Sequence, residues 1–155
     1  MPKIWIMSVG VDRYGHEHKD RREELDGKSI HCWSVPSTSH IDDLVLFYYT
    51  SPEKCVKSIF KITGKITPDN PEGWTKRNKD WFARIERITE TKHIAPIKYE
   101  EIMQDKFLKN SQFVKINLTG RSEVKPEYWK RLYDLLLQRN PNLGKKLTEY
   151  HPNKI

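Results

Sequence analysis

The run Asp42-Asp43-Leu44-Val45-Leu46-Phe47-Tyr48-Tyr49 constrains this chain more than any other stretch. From Leu44 onward it is continuously apolar or aromatic, of strand length, and rich in branched and ring side chains. Such a run belongs at the centre of a sheet. Thr50-Ser51-Pro52-Glu53 carries turn chemistry, and Lys54 to Thr63 returns as the second arm of a hairpin that Gly64 ends. Lys3 to Val9 reads as a first strand, closed by Gly10 and a polar loop around Tyr14-Gly15, and Ser29 to Trp33 as a short second one. Trp81 to Thr89 alternates, with Phe82, Arg84, Glu86 and Ile88 on one side and Trp81, Ala83, Ile85 and Arg87 on the other. A final strand is expected near Gln112 to Leu118.

Helical signals are fewer. His18 to Leu25 suits one or two turns, and Lys98 to Gln104 a short helix. Pro126 fits the first position of a closing helix, in which Trp129, Leu132, Tyr133 and Leu136 form one apolar stripe at i, i+3, i+4 and i+7. Thr67 to Asp80 is a loop broken by Pro68, Asn70, Pro71 and Gly73, and residues 141–155 read as a loose polar tail or linker. Strands first and the long helix last give an α+β domain over residues 1–140. Its sheet is curved and mixed, or a small barrel, with five to six strands flanked by two to three short helices.

Composition narrows the function classes. At 155 residues the chain suits one domain, and 36% apolar against 32% charged residues implies a soluble protein with a thin core. No apolar run approaches the roughly 18 residues that span a bilayer, and the N-terminus lacks a secretory signal, so no membrane partner is expected. Cys32 and Cys55 sit among apolar neighbours in strands, which fits buried thiols of a reducing cytoplasm. The net charge of +7 is unevenly spread: residues 1–53 sum to −3, while residues 54–87 and 106–131 each sum to +5. Clustering of one sign is the footprint of a phosphate-binding face, or else a solvated surface.

No nucleophile elbow, phosphate-cradling loop or carboxylate pair is present, so the chain does not read as an enzyme, and no cofactor is implied. His16-Glu17-His18 with Asp20 lacks a third well-spaced metal ligand, and His31 and Cys32, adjacent on a strand, point to opposite faces. What remains is Trp33-Ser34-Val35-Pro36 at a strand end: a flat aromatic on a basic domain, suited to something flat and attached to phosphate.

In order and spacing these pieces resemble the PUA-like superfamily, and within it the EVE and YTH branches. The resemblance runs from Ile4 to about Leu137. It is carried by Ile4-Trp5-Ile6, Trp33-Ser34-Val35-Pro36, the Asp42 to Tyr48 strand, Ile59 to Gly64, Trp81 to Ile88, and Gly120 to Glu127 before the helix. Asp42 stands where the family usually has glycine. The resemblance implies a non-catalytic reader that holds a flipped, methylated cytosine or adenine of DNA or RNA in an aromatic cage. It also implies use as a targeting segment of modification-dependent restriction systems, hence association with a restriction ATPase or nuclease. By similarity Trp33 is a cage tryptophan with Ser34 beside it, Trp74 the second wall, Ser8 a polar base contact, and Arg121 a phosphate contact. Trp81 competes with Trp74, and Tyr49 and Phe113 are candidates for a third ring. Lys76, Arg77, Lys79 and Lys109 are further phosphate-binding candidates on the two basic segments. For Trp33 and Trp81 the alternative is plain core, as it is for Trp5 and Trp129.

Two other functions compete. One is a PUA-type RNA binder that uses the basic surface without reading a modification. The other is an ASCH-like hydrolase acting on a modified nucleoside, whose Gly-x-Lys-x-x-Glu-x-Arg motif is echoed by Gly144, Lys146 and Glu149. There His151 replaces the arginine, and the segment falls in the tail.

Overall fold

The computed structural model describes residues 1–11, 20–68, 81–116, 118 and 120–155. Seven strands are found among the described residues: β1 (Ile4–Val9), β2 (Ile30–Val35), β3 (Leu44–Tyr49), β4 (Cys55–Ile62), β5 (Trp81–Arg87), the two-residue β6 (Ile97–Lys98) and β7 (Arg121–Val124). Six of them form one curled mixed sheet in the order β2-β5-β4-β3-β1-β7, with β6 pairing to β4 off this path. The β1–β3 pair is parallel and the other pairings are antiparallel. The helices are α1 (Arg21–Gly27), α2 (Tyr99–Gln104), α3 (Gln112–Lys115), α4 (Pro126–Arg139) and α5 (Leu143–Lys146), joined by short 3-10 turns.

All six residues of β3 are buried, as the continuous apolar run demands, and the period of two splits them between two cores. Leu44, Leu46 and Tyr48 join Ile4 and Ile6 of β1 in a core covered by α2, α3 and α4. Val45, Phe47 and Tyr49 join Trp5, Met7, Trp33, Phe60 and Ile85 in a second core, into which α1 inserts Leu25. A register shift between Phe47 and Tyr48 marks a bulge that absorbs Lys57 in β4. Val56 and Ile59 thereby lie in the first core while Phe60 and Ile62 face the second.

The turn before β3 is held by Asp43. Only 1% exposed, its carboxylate accepts hydrogen bonds from Lys3 N (2.9 Å), Trp5 Nε1 (2.9 Å) and His40 N (2.9 Å). Asp42, at the position where the resembling pattern has glycine, has φ +77°. An aspartate tolerates that left-handed conformation better than most side chains do, which makes the replacement physically workable.

Two expectations are corrected. Residues 112–115 are the helix α3, not a strand, and the strand on that side is β7, beginning at Arg121. Phe113 and Val114 are both buried in the first core, which consecutive residues of a half-buried strand could not be. The tail is not loose: Leu143, Leu147 and Tyr150 are buried in the first core, and Trp129 Nε1 of α4 donates to Tyr150 O at 2.7 Å. Pro126 opens α4 as expected, and Trp129, Leu132 and Leu136 of its stripe are buried.

Candidate nucleic-acid interface

Three of the candidate residues, Ser8, Arg121 and Ser34, meet with Gly120 in a single hydrogen-bonded row. Ser8, near the end of β1, exchanges two bonds with Gly120: Ser8 N donates to Gly120 O (2.8 Å) and Gly120 N donates to Ser8 Oγ (3.0 Å). Gly120 has φ +67°, and this turn delivers the next residue, Arg121, onto the sheet edge. From there the Arg121 guanidinium donates to Ser34 Oγ at 3.2 Å. Ser34 is next to Trp33 on β2. The strands β2 and β7 are the two ends of the sheet order, so the row crosses the gap between its edges.

Trp33 itself is 4% exposed. Its ring meets Phe47 edge-on at 5.7 Å and His31 at 5.4 Å, inside the second core. The expectation of an open cage wall is therefore corrected: β2 turns the ring inward to the second core, while Ser34, the next residue on the strand, points to the opposite face. His31 Nε2 lies 3.0 Å from Leu25 O and 2.9 Å from Lys28 O. Both partners are carbonyls, so that nitrogen carries the proton, and the imidazole links the end of α1 to the ring of Trp33.

Trp81 is half-buried at the start of β5, paired with Val35, while Trp33 pairs with Ala83. By the strand period Trp81 shares a face with Ala83 and Ile85, which makes it the diagonal neighbour of Trp33. Trp74, Lys76, Arg77 and Lys79 lie outside the described residues.

Tyr49 and Phe113 are not third cage rings, a further correction. Tyr49 is fully buried on β3, and its hydroxyl donates to Asp26 Oδ1 (2.6 Å) and meets Ser58 Oγ (2.5 Å). Burial first, then the bond to Asp26, raises its ionisation far above the usual tyrosine range. Phe113, on α3, is buried at 1% in the first core. Lys109 is exposed on the 3-10 turn Leu108–Asn110 and is not part of the Ser8–Gly120–Arg121–Ser34 row. Lys146 and Glu149 sit in the packed tail, Glu149 beside Lys61 at 3.9 Å, and not in this row.

Sequence reasoning missed Gly120 and His31 as parts of the arrangement. A glycine directly before a candidate arginine was the available sign for the first. The second gave none, because its role depends on carbonyls of α1. Among the described residues no group of three His, Cys, Asp or Glu side chains could hold a metal ion, and no helix is long and apolar enough to cross a membrane.

A profile of the EVE domain matches residues 3–135. Human THYN1, solved in complex with 5-methylcytosine-containing DNA, has a similar fold: TM-score 0.63 and 14% identity over 86% of this chain and 96% of that one. A protein from Pseudomonas syringae is similar at TM-score 0.60 and 20% identity, over 86% of this chain and 99% of that one. A mutant of the ZmASCH protein from Zymomonas mobilis follows at TM-score 0.55 and 12% identity, over 87% and 99%. No curated protein sequence matches the chain.

Proposed function

This chain belongs to the EVE domain family, and on that premise we propose that it binds nucleic acid and reads a modified base. The observation that carries the reading is the row Ser8–Gly120–Arg121–Ser34, which gathers three distant segments into one polar rim across the two edges of the sheet. The fold shared with THYN1, whose complex holds 5-methylcytosine DNA, supports the same reading.

The physics of reading sets the roles. A base must leave its stack to be inspected, which costs a few kcal/mol, and stacking on an aromatic ring returns about 1–3 kcal/mol. A buried methyl group adds only about 0.8 kcal/mol, so hydrogen bonds at the base edge must supply most of the discrimination. Ser34 and Ser8 offer hydroxyls for that edge, and Arg121 offers a planar cation for the adjoining phosphate. Trp33, buried as it is, contributes stacking area only when its ring is uncovered, and Trp81 stands on the same face as the second ring. A methylated cytosine or adenine is the substrate class this rim suits. Targeting of a restriction ATPase or nuclease, in the cytoplasm, is the cellular setting we propose for it.

The test is titration of matched oligonucleotides, DNA and RNA, single- and double-stranded, with and without 5-methylcytosine or N6-methyladenine. A tenfold preference for one modified form is expected. Equal binding of all pairs would reduce the function to unselective nucleic-acid binding, and release of product from an acylated nucleoside would favour the ASCH-like enzyme instead.

A further inference from the structure

We propose a second nucleic-acid contact, away from the rim, in which Phe107 stacks on a base of the flanking strand while Lys106 and Lys109 hold its phosphates. It rests on the reading that the chain binds nucleic acid. Phe107 lies between α2 and the Leu108–Asn110 turn and is 48% exposed, the one large aromatic ring among the exposed hydrophobic side chains of the described residues. Its backbone is fixed. Asp105 Oδ1 accepts from Phe107 N (3.0 Å) and Leu108 N (2.9 Å), and Asp105 Oδ2 accepts from Arg131 Nε of α4 (2.6 Å). Against one side of the ring packs Tyr128, with centroids 5.3 Å apart. An exposed aromatic held this firmly loses little freedom on binding, as a stacking platform requires.

The unpaired charge that flanks it in the chain is positive. The nearby acids are taken, Asp105 by Arg131 and Glu101 by Arg139. Lys106 and Lys109, on either side of Phe107, form no ion pair among the described residues. Residues 106–131 hold seven basic and two acidic side chains. This charge favours a polyanion over a neutral or basic partner.

The platform is connected to the rim. Tyr128 also meets Phe113 of α3, at 6.4 Å, and α3 with its following turn borders a small cleft against Ser8 and Gly120. In this proposal the flanking strand runs from the rim, past α3, to Phe107.

The experiment compares 3-nucleotide and 12-nucleotide single strands, each with one central 5-methylcytosine, in DNA and RNA versions, on the full chain. Phe107→Ala is expected to weaken the 12-mer five- to fiftyfold and leave the 3-mer within twofold. Lys106→Glu with Lys109→Glu should lower the slope of log K against log salt by more than one, whereas the charge-matched Lys92→Glu with Lys154→Glu should change it less. Phe107→Ala that binds the 12-mer as tightly as the parent overturns the inference while leaving the rim intact. So does an acidic peptide carrying apolar anchors, EELFEELLEE, that shifts the Phe107 resonances when the 12-mer does not. Failure of every oligonucleotide to bind the unmodified chain would instead remove the functional reading, and this inference with it.

Discussion

The guanidinium of Arg121 donates to Ser34 Oγ across the two edges of the sheet, one residue on β7 and the other on β2. Both groups are in reach of solvent, so the bond adds little to stability. Arg121→Ala is expected to change the unfolding free energy by less than about 1 kcal/mol. Its effect should fall on binding: one phosphate contact fewer lowers the salt slope by about 0.7 for a single strand or 0.9 for a duplex. Arg121→Lys keeps the charge without the planar fork, so it should restore the slope but only part of the affinity. Titration at three salt concentrations checks both variants, and a parental slope in Arg121→Ala would exclude this residue from the phosphate contact.

Trp33 separates stability from recognition. Truncating a buried indole typically costs about 3–5 kcal/mol, so Trp33→Ala is expected to lower the urea midpoint sharply or to prevent folding. Trp33→Phe retains a ring against Phe47 and His31 and should cost less, on the order of 1–3 kcal/mol. It is therefore the variant on which binding is measured. If a base stacks on Trp33, Trp33→Phe should weaken the modified oligonucleotide more than its unmodified match. Equal losses would mean that the ring serves the core alone.

Much of this was legible in the sequence because burial writes itself into period. The Leu44–Tyr49 run specifies a strand buried on both faces and the stripe on α4 a single buried face, and the structure buries both accordingly. The errors fell where the period is short or absent. Residues 112–118 hold β-branched and aromatic residues in the proportion of a strand, yet α3 has four residues, too few to display a helical repeat. The true edge strand β7 reads Arg-Ser-Glu-Val and exposes two of its four residues, so it offered little apolar signal. In the tail, Leu143, Leu147 and Tyr150 are spaced for one helical face, but polar residues and Pro141 outnumber them. For the site, residue types pointed to Ser8, Ser34 and Arg121 separately. Their meeting depends on the curl of the sheet, which no local pattern encodes.

Asp105 predicts how stability responds to acid. Burial alone would raise its carboxyl. The N–H of Leu108, the Arg131 guanidinium and the N–H of Phe107 outweigh that and hold it below the ordinary aspartate value. A carboxylate depressed in the folded state contributes stability that is complete above its unfolded value, near about pH 4, and lost as pH falls through the folded value. Asp20 is lowered in the same direction, first by its bond to Arg22. Stability should therefore decline below about pH 4, and Asp105→Asn should make that decline shallower while weakening the protein at pH 7. Urea unfolding of both proteins from pH 3 to pH 7 measures this. Parallel curves would show that Asp105 titrates alike in both states.

The packed tail supplies the sharpest test of the fold. Leu143, Leu147 and Tyr150 fill the first core beneath α4, Tyr150 O accepts from Trp129 Nε1, and the Tyr150 hydroxyl donates to Asp42 O at 2.6 Å. Deleting residues 141–155 would expose the apolar surface those side chains cover and leave the fully buried Trp129 without its acceptor. Two leucines and a tyrosine withdrawn from a core are worth on the order of 5 kcal/mol or more, comparable to the whole stability of a small domain. The truncated chain is expected to aggregate or unfold, although the EVE profile ends at residue 135. Tyr150→Phe removes only the bond to Asp42 and should cost about 1 kcal/mol, within reach of a urea titration. A soluble, cooperatively folding 1–140 fragment with parental stability would show that the tail rests on the surface and does not complete the core.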